Sequence, residues 1–506
     1  MLVKINLFWN CLLFFGIQTA FGQLHIEPFD LSARIENSHL SSLNKTDNHS
    51  SVFPYITAPD SRIADSSRFL VLSKSSKILE TQFYPLMNVS AGVETDGNFP
   101  YTAGLGVGLD LSSKKLSFSG KFLPYSTHSP YIADSIQTNL FQDLGASPEL
   151  FKNGYFQNEL LFLYRPNKFF TFLTGHGRNF FGEGYRSLIL SDNAGSTPFF
   201  KIETTFSSIK YVNLYQLWTD NTIAPSNRNL DRKKFAAMHY ISWNITRQFN
   251  LSIFETVLWQ SSDTLIDRNF DPNYLNPIVF YRPVEYGNGS ADNVLLGANM
   301  SFKFDKNQSI YGQFILDDFL LSEIRARSRW WANKYGFQFG YKSQNFAGIE
   351  NLYFQTEFNL VRPFTYSHKE SLQSYGHLNS PVAHPIGANF IEVLNISSYQ
   401  LGEFRLINKI TYASFGADSA GISFGQNVFS SYSDRPDDYN QLIMQGKKKN
   451  VLNESFTIDR ALSKKINLYL FANYNWRMEI NELGIENRHY FMLGIRSQIW
   501  NTYTDF

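Results

Sequence analysis

The stretch FFGEGYRSLILSDNA, residues 180–194, sets glycines two apart ahead of an arginine and a serine. Paired glycines can let backbone amides close on a phosphate. A P-loop, however, needs its last glycine followed by Lys and then Ser or Thr. Here Gly184 is followed by Tyr185 and Arg186. A dinucleotide loop needs G-x-G-x-x-G opening a helix. Gly175 and Gly177 begin such a run, but Phe180 stands where the third glycine belongs. Neither phosphate template fits.

A second group is Asp317, Asp318, Glu323, Arg325, Arg327, Arg329, Trp330 and Trp331. Indole faces beside carboxylates and guanidinium forks can hold a sugar by stacking and hydrogen bonds. The same residues also read structurally, as mutual ion pairs beside tryptophans at a membrane interface. Arg282 and Glu285 in YRPVEYG carry the same two readings. The histidines His368, His377 and His384 are spaced nine and seven apart. That matches no compact metal template, and no H-E-x-x-H accompanies them, so they read as turn residues. His239, Ser242 and Asn244 sit on one extended run. There 242 and 244 share a face and 239 takes the other, which rules out a serine–histidine nucleophile. No catalytic constellation, metal or cofactor is expected.

The elements that would position these residues begin with export. Residues 1–22 carry Lys4, an apolar run from Leu7 to Ile17, and small residues Ala20 and Gly22 before Gln23. This is the pattern of a cleaved signal peptide. The single cysteine, Cys11, lies within it, so the mature chain has no disulfide or thiolate. Without Lys4 the basic residues number 44, against 44 acidic ones. A net charge of zero gives no reason to expect nucleic acid as a partner. Aromatics make up 16%, with 28 Tyr and 47 Phe, yet the mean hydropathy is −0.25. No later segment approaches the roughly eighteen apolar residues of a membrane helix. An exported, aromatic-rich, mildly polar chain fits an outer-membrane barrel, in which lipid-facing and lumen-facing residues alternate.

The alternation is explicit. Ile466, Leu468, Leu470, Ala472, Tyr474 and Trp476 interleave with Asn467, Tyr469, Phe471, Asn473 and Asn475. FQNELLFLY turns at RPNK into FFTFLTG, and LLGANMSFKF turns at DKNQ into SIYGQFILDD. Each is a hairpin signal. Tight turns alternate with long loops at 126–154, 176–197, 260–292, 362–389 and 415–450. The reading is an all-β transmembrane antiparallel barrel of about eighteen strands over 81–506, with short periplasmic turns and long outer loops. Among its strands are 451–459, 466–477 and 488–500. Residues 23–80, rich in Ser, Asn and Asp, read as a periplasmic segment lying under the barrel or entering it. Phe506, soon after the last strand, suits recognition by the outer-membrane insertion machinery.

FFGEGYRSLILSDNA resembles a segment of the Wzi-like capsule-assembly family, aromatic-aromatic-G-x-G-aromatic followed by an SLILSNNA-like run. NYLNPIVFYRPVEYGNGSADNVLLGAN at 273–299, DDFLLSEIRARSRWWANKYGFQFG at 317–340 and YGHLNSPVAHPIGANF at 375–390 extend the resemblance. Among such proteins the chain looks most similar to the RemB-like gliding-motility proteins of Bacteroidetes. Asp192 stands where Asn is typical of the capsule proteins, and Phe180-Phe181 replace their usual Trp-Trp pair. The resemblance implies a monomeric, non-enzymatic barrel in the cell outer membrane. Its partners would be membrane lipid and either surface polysaccharide or gliding machinery. A diffusion porin or small-solute transporter is the alternative. Two readings then stand for 180–193. In one, Gly182 and Gly184 shape a loop that folds inward and narrows the pore, with Leu188 and Leu190 packed on one side. In the other, Tyr185, Arg186, Asp192 and Asn193 line a sugar site, joined by Asp317, Asp318, Arg327, Trp330 and Trp331.

Overall fold

A computed structural model describes residues 24–27, 31, 34–35, 49–57, 72–76, 79–95, 97–128, 154–222, 228–261, 269–278, 292–419, 421–464, 466–499, 501–503 and 505. Residues 1–22 lie outside these, as do most of 23–80 and the pair Arg282 and Glu285.

Eighteen long antiparallel strands close a barrel. They are β1 (Glu80–Glu94), β2 (Tyr101–Ser112), β3 (Leu116–His128), β4 (Gly154–Tyr164), β5 (Phe170–Gly177) and β6 (Thr197–Phe206). Next come β7 (Ile209–Asp220), β8 (Arg232–Asn244), β9 (Phe249–Gln260), β10 (Asn293–Lys303), β11 (Gln308–Asp318) and β12 (Lys334–Ser343). The last six are β13 (Leu352–Val361), β14 (Phe390–Leu401), β15 (Phe404–Ala417), β16 (Lys447–Ser463), β17 (Leu468–Asn481) and β18 (Gly484–Ser497). Asn88–Glu94 of β1 pairs with Tyr490–Arg496 of β18 and seals the ring. The other end of β1 takes up the short strand Leu72–Ser75. Closure satisfies every strand edge, which a span through lipid requires.

Side-chain alternation gives the wall its two faces. On β4, Leu160, Phe162 and Tyr164 are exposed outward, while Leu161 and Leu163 are buried inward. On β13, Tyr353, Gln355, Glu357 and Asn359 point inward, and Phe358 points out. Near one end the outward faces carry ring pairs, Phe169–Phe206 at 6.2 Å and Phe346–Phe354 at 4.4 Å. Such rings suit the polar–apolar boundary of a bilayer.

Connections alternate in length, with two short ones at the loop end, residues 95–100 between β1 and β2 and residues 482–483 between β17 and β18. At the turn end they run from two to eight residues. At the loop end, 178–196, 221–231, 261–292, 319–333, 362–389 and 418–446 are long. The junction of β17 and β18 departs from expectation. The gap read between 477 and 488 is instead a two-residue turn, Glu482–Leu483. Charged side chains carry the strands past the apolar pattern. Lys449 of β16 and Arg477 both pair with Glu479, at 2.7 and 3.0 Å. The same lysine-rich stretch begins β16 at Lys447 rather than 451.

The largest buried cluster lies inside the barrel. Inward apolar residues of β4–β9, among them Leu163, Leu173, Leu214, Met238 and Phe254, pack on Leu188, Ile189 and Leu190 of the first long inner loop. Tyr366, Tyr375, Val382 and Ile386 of the 362–389 loop complete the cluster. The lumen is thus filled by two infolded loops. Part of the N-terminal segment joins them, with Val52–Phe53 pairing antiparallel to Phe180–Phe181.

Candidate functional site

The plug is two-sided because the lumen wall is two-sided. Leu188, Ile189 and Leu190 are all fully buried, facing the apolar strands. Leu188 and Leu190 were expected to pack on one side, and Ile189 joins them. Ser187 explains the third: its Oγ accepts from the Ile189 and Leu190 amides and donates to the Phe181 carbonyl at 2.6 Å. That caps a tight turn and presents all three side chains. Backbone groups find partners on every side. Tyr366 and Tyr375 hydroxyls donate to the Leu188 and Ile189 carbonyls at 2.7 and 2.6 Å. Gly182 N–H donates to Ser51 O, and Ser191 N–H to Val382 O. Gln313 of β11 reads the turn twice, accepting from Leu188 N–H and donating to Phe181 O.

The other side of the plug meets the polar strands. Arg186 is fully buried, and its Nη2 reaches Glu392 and Asp505, each at 2.9 Å. Burial alone would lower the guanidinium pKa, but Asp505 and Glu392 hold it well above its ordinary value. Burial alone would raise the Asp505 carboxyl, yet Arg186 and Lys409 keep it far below the usual carboxylate range. Glu357 accepts from the Tyr185 and Arg186 amides at 2.8 and 3.2 Å. His384 completes the group. Its Nε2 lies 2.7 Å from Glu392, and its Nδ1 accepts from Ile386 N–H. A carboxylate can only accept, so His384 is the Nε2–H tautomer, kept neutral by burial despite Glu392.

Asp192 is equally enclosed. Arg34 pairs with it at 3.0 Å, and the Tyr503 hydroxyl donates to it at 2.5 Å. Arg34 also lies over the Phe180 ring, 4.2 Å from its centroid. Asn193 donates to the Pro381 carbonyl at 2.9 Å. Tyr185 is buried against Tyr503, ring centroids 5.3 Å apart. With these partners, Tyr185, Arg186 and Asp192 hold the plug together inside the barrel rather than facing a surface that a polymer reaches.

The two glycines shape this loop for different reasons. Gly182 has φ +148°, a conformation side chains resist. Gly184 has no positive φ; its role is close approach, correcting the expectation for it. A Cβ there would stand 2.5 Å from Glu357 Oε2 and 2.6 Å from Arg186 O. Gly184→Ala is therefore expected to cost about 1–3 kcal/mol in plug stability through overpacking. Limited proteolysis of the folded barrel would show new cleavage within 178–196; an unchanged digestion pattern would refute the prediction.

The second candidate cluster divides. Asp317 and Asp318 both pair with Lys334, at 3.7 and 3.0 Å, and Asp317 also accepts from Tyr366 N–H at 2.8 Å. Lys334 was absent from the expected group. Trp331 packs against protein rather than joining the expected girdle. Trp331 sits between loops 319–333 and 418–446, its ring 4.7 Å from Tyr432 and capped by Arg435 at 4.0 Å. Trp330 lies beside it at 6.1 Å, half-buried, and Tyr439, on the 418–446 loop with Tyr432 and Arg435, is half exposed. This is an aromatic and cationic platform on the loop end. Arg325, Arg327 and Arg329 are exposed and stand apart from it in partnership.

Among the described residues no three His, Cys, Asp or Glu side chains converge as metal ligands. His377 Nδ1 accepts from the Thr219 amide at 2.9 Å, while the His368 ring lies edge-on to Tyr432. His239 faces outward, Nε2 3.1 Å from the Asn276 carbonyl. Ser242 faces the lumen and meets an unexpected partner, His49 Nδ1, at 2.9 Å. Burial and the nearby Lys210 push the His49 imidazole down to about 3. A base that weak does not take a serine proton near neutral pH. At the turn end, a cleft of about 880 Å³, counting open solvent, lies between the N-terminal segment and the wall; it includes Arg34, Glu183, Lys303 and Lys342.

Sequence reasoning missed Glu357, Glu392, Lys409, Asp505 and His49. The row Gln355, Glu357, Asn359 at alternate positions was a readable signal of a polar inward face. Nothing local marks Asp505 or His49, whose side-chain partners lie from 94 to 319 residues away.

A closed eighteen-stranded antiparallel barrel of this shape defines the molecule as a β-barrel of the outer-membrane type. It is similar to Wzi from Escherichia coli, described as an outer-membrane protein involved in group 1 capsule assembly and a carbohydrate-binding β-barrel. The TM-score is 0.56 and the identity 11%, over 93% of this chain and 99% of that one. At that identity the likeness is one of fold. OprD from Pseudomonas aeruginosa follows at TM-score 0.43 and 10% identity, over 82% of this chain and 94% of that one. OpdK from the same organism, solved with vanillate, gives 0.45 and 9%, over 83% and 98%. No protein-family model matches the sequence, and no curated protein matches it.

Proposed function

We propose that this chain is a non-enzymatic barrel of the Wzi-like kind that holds or organises surface polysaccharide in the outer membrane, with RemB-like gliding as its cellular setting. The observation that carries the reading is the lumen: a buried apolar core and a buried ion network occupy space inside the barrel that a solute would cross. Such a barrel works at its mouth rather than through its bore. The loop end faces outward and the short turns face the periplasm. The platform of Trp330, Trp331, Tyr432 and Arg435 then meets polymer, by stacking and cation-assisted hydrogen bonds. Each contact is weak, so retention comes from many monomeric barrels engaging one long chain. The insertion machinery of the outer membrane would deliver each barrel.

A deletion strain is expected to lose surface-polymer retention or spreading on a surface, with small-solute uptake unchanged. Trp331→Ala should weaken retention in the same direction, by about tenfold at a single site, while the barrel stays heat-modifiable on gels. Normal polymer and normal spreading in the deletion, together with lost permeability, would decide for a porin.

A further inference from the structure

The loop between β11 and β12 carries an amphipathic edge that the platform does not use. Phe319, Leu320, Leu321 and Ile324 are exposed. They surround the one-turn helix α1 (Leu321–Arg325). They follow directly on β11 in the chain, and Phe337 and Phe339 of β12, the strand after the loop, are exposed as well. Directly beyond come Arg325, Arg327 and Arg329, all exposed. None of the three makes an ion pair or side-chain hydrogen bond with a described residue. Two of them hold left-handed backbone, with φ +53° at Arg327 and +52° at Arg329. Arginine adopts that region only when its surroundings impose it. Here the neighbouring loop imposes it: Asn440 and Gln441 amides donate to the Ser328 and Arg329 carbonyls, and Trp331 N–H donates to Asp438 O. Three exposed guanidinium groups, unpaired among the described residues, thus lie next in the chain to four exposed apolar side chains.

We infer that this edge docks on the outer leaflet and binds the phosphate groups of an anionic membrane glycolipid. The apolar side chains enter the acyl boundary, and the arginines stand at headgroup level, where forked donors suit phosphate oxygens. Two features select a lipid over a free anion: the exposed apolar row follows directly on β11, a strand of the barrel wall, and all three arginines are exposed. The inference rests on the loop end facing outward, and it moves Arg327 from sugar to lipid.

The test uses the full-length barrel, purified in detergent, with a diphosphorylated glycolipid and its dephosphorylated form as probes. The wild-type protein is expected to prefer the phosphorylated probe. Arg325→Ala, Arg327→Ala and Arg329→Ala combined should lose roughly a hundredfold of that preference, since each basic residue at an anionic lipid surface is worth about a factor of five. Lysine at all three positions should restore most of it. None of the three side chains holds the loop through a described residue, so the variants should remain heat-modifiable barrels. Equal binding of both probes by the wild type, undiminished preference in the triple alanine variant, or full displacement by excess inorganic phosphate would each overturn the inference. Sidedness does not enter a detergent assay. A failure here therefore leaves the polymer-retention reading standing, and a failure of polymer retention leaves this one standing.

Discussion

Arg186→Ala should turn a closed barrel into a leaking one. Removing the guanidinium leaves Glu392 and Asp505 buried without their shared cation. Breaking a buried pair in this way typically costs about 3–5 kcal/mol, because the remaining charge has lost its compensation. The cost falls on the plug and not on the wall, since Arg186 lies outside every strand and takes no part in the ladder. The expected result is a heat-modifiable barrel with new ionic conductance in planar bilayers, where the wild type stays closed. Acid should act in the same direction. Burial and adjacent lysines push His49 and His377 down to about 3, so both are neutral in the fold. A base whose folded pKa is depressed contributes its full stability above the unfolded value of about 6.5. That contribution is lost as pH falls from there towards 3. Asp505, a depressed carboxyl, adds a loss only below about 4. Conductance should therefore begin to rise below neutrality and rise further near pH 4. An alanine variant as silent as the wild type at all pH values would show that Arg186 does not hold the plug.

Phe181→Ala should release the N-terminal segment. Phe181 is fully buried, stacked on Tyr240 at 4.5 Å, and its neighbour Phe180 packs edge-on to Phe53 at 5.7 Å. Losing a buried phenyl ring costs about 3–5 kcal/mol, part of it for the cavity left behind. The two-residue ribbon with Val52–Phe53 is otherwise held by polar contacts, among them Gly182 N–H to Ser51 O, Lys201 to the Phe53 carbonyl and Ser242 to His49. Tyr240→Phe serves as the control: it removes the hydroxyl's 2.9 Å bond to Ser51 but keeps the ring stack. Protease added to the purified barrel should cut within 49–57 in Phe181→Ala and spare the wild type, with Tyr240→Phe in between. Equal resistance of all three would mean that the segment is held elsewhere.

The strands were legible because a lipid-facing wall obeys a period of two. Leu160 and Phe162 point out and Leu161 and Leu163 point in, and sequence alone shows the alternation. What it does not show is where the lumen is polar and where it is apolar. Leu161, Leu163 and Leu173 look like any buried strand residues until the loop they pack on is known. The strand ends at Asn481 and Gly484 were missed because they lie beyond the apolar band, where Lys449, Arg477 and Glu479 sustain pairing by charge.

The amino-acid sequence by itself determined the class of fold, most of the alternation of turns and loops, and the need for glycine near 182. Each follows from short-range chemistry: side-chain period, turn residues, a conformation only glycine accepts freely. Tertiary structure alone decided that residues 180–193 are a plug. Arg186 pairs across 206 and 319 positions, and Arg34 reaches Asp192 across 158. Contacts of that separation leave no local mark, because the barrel's closure, not the neighbouring sequence, brings those residues together. The same holds for Trp331. Its indole could have faced lipid, sugar or protein, and only the approach of the loop bearing Tyr432 and Arg435 set it between two loops, since stacking partners on separate connections meet only after the strands between them have closed the wall.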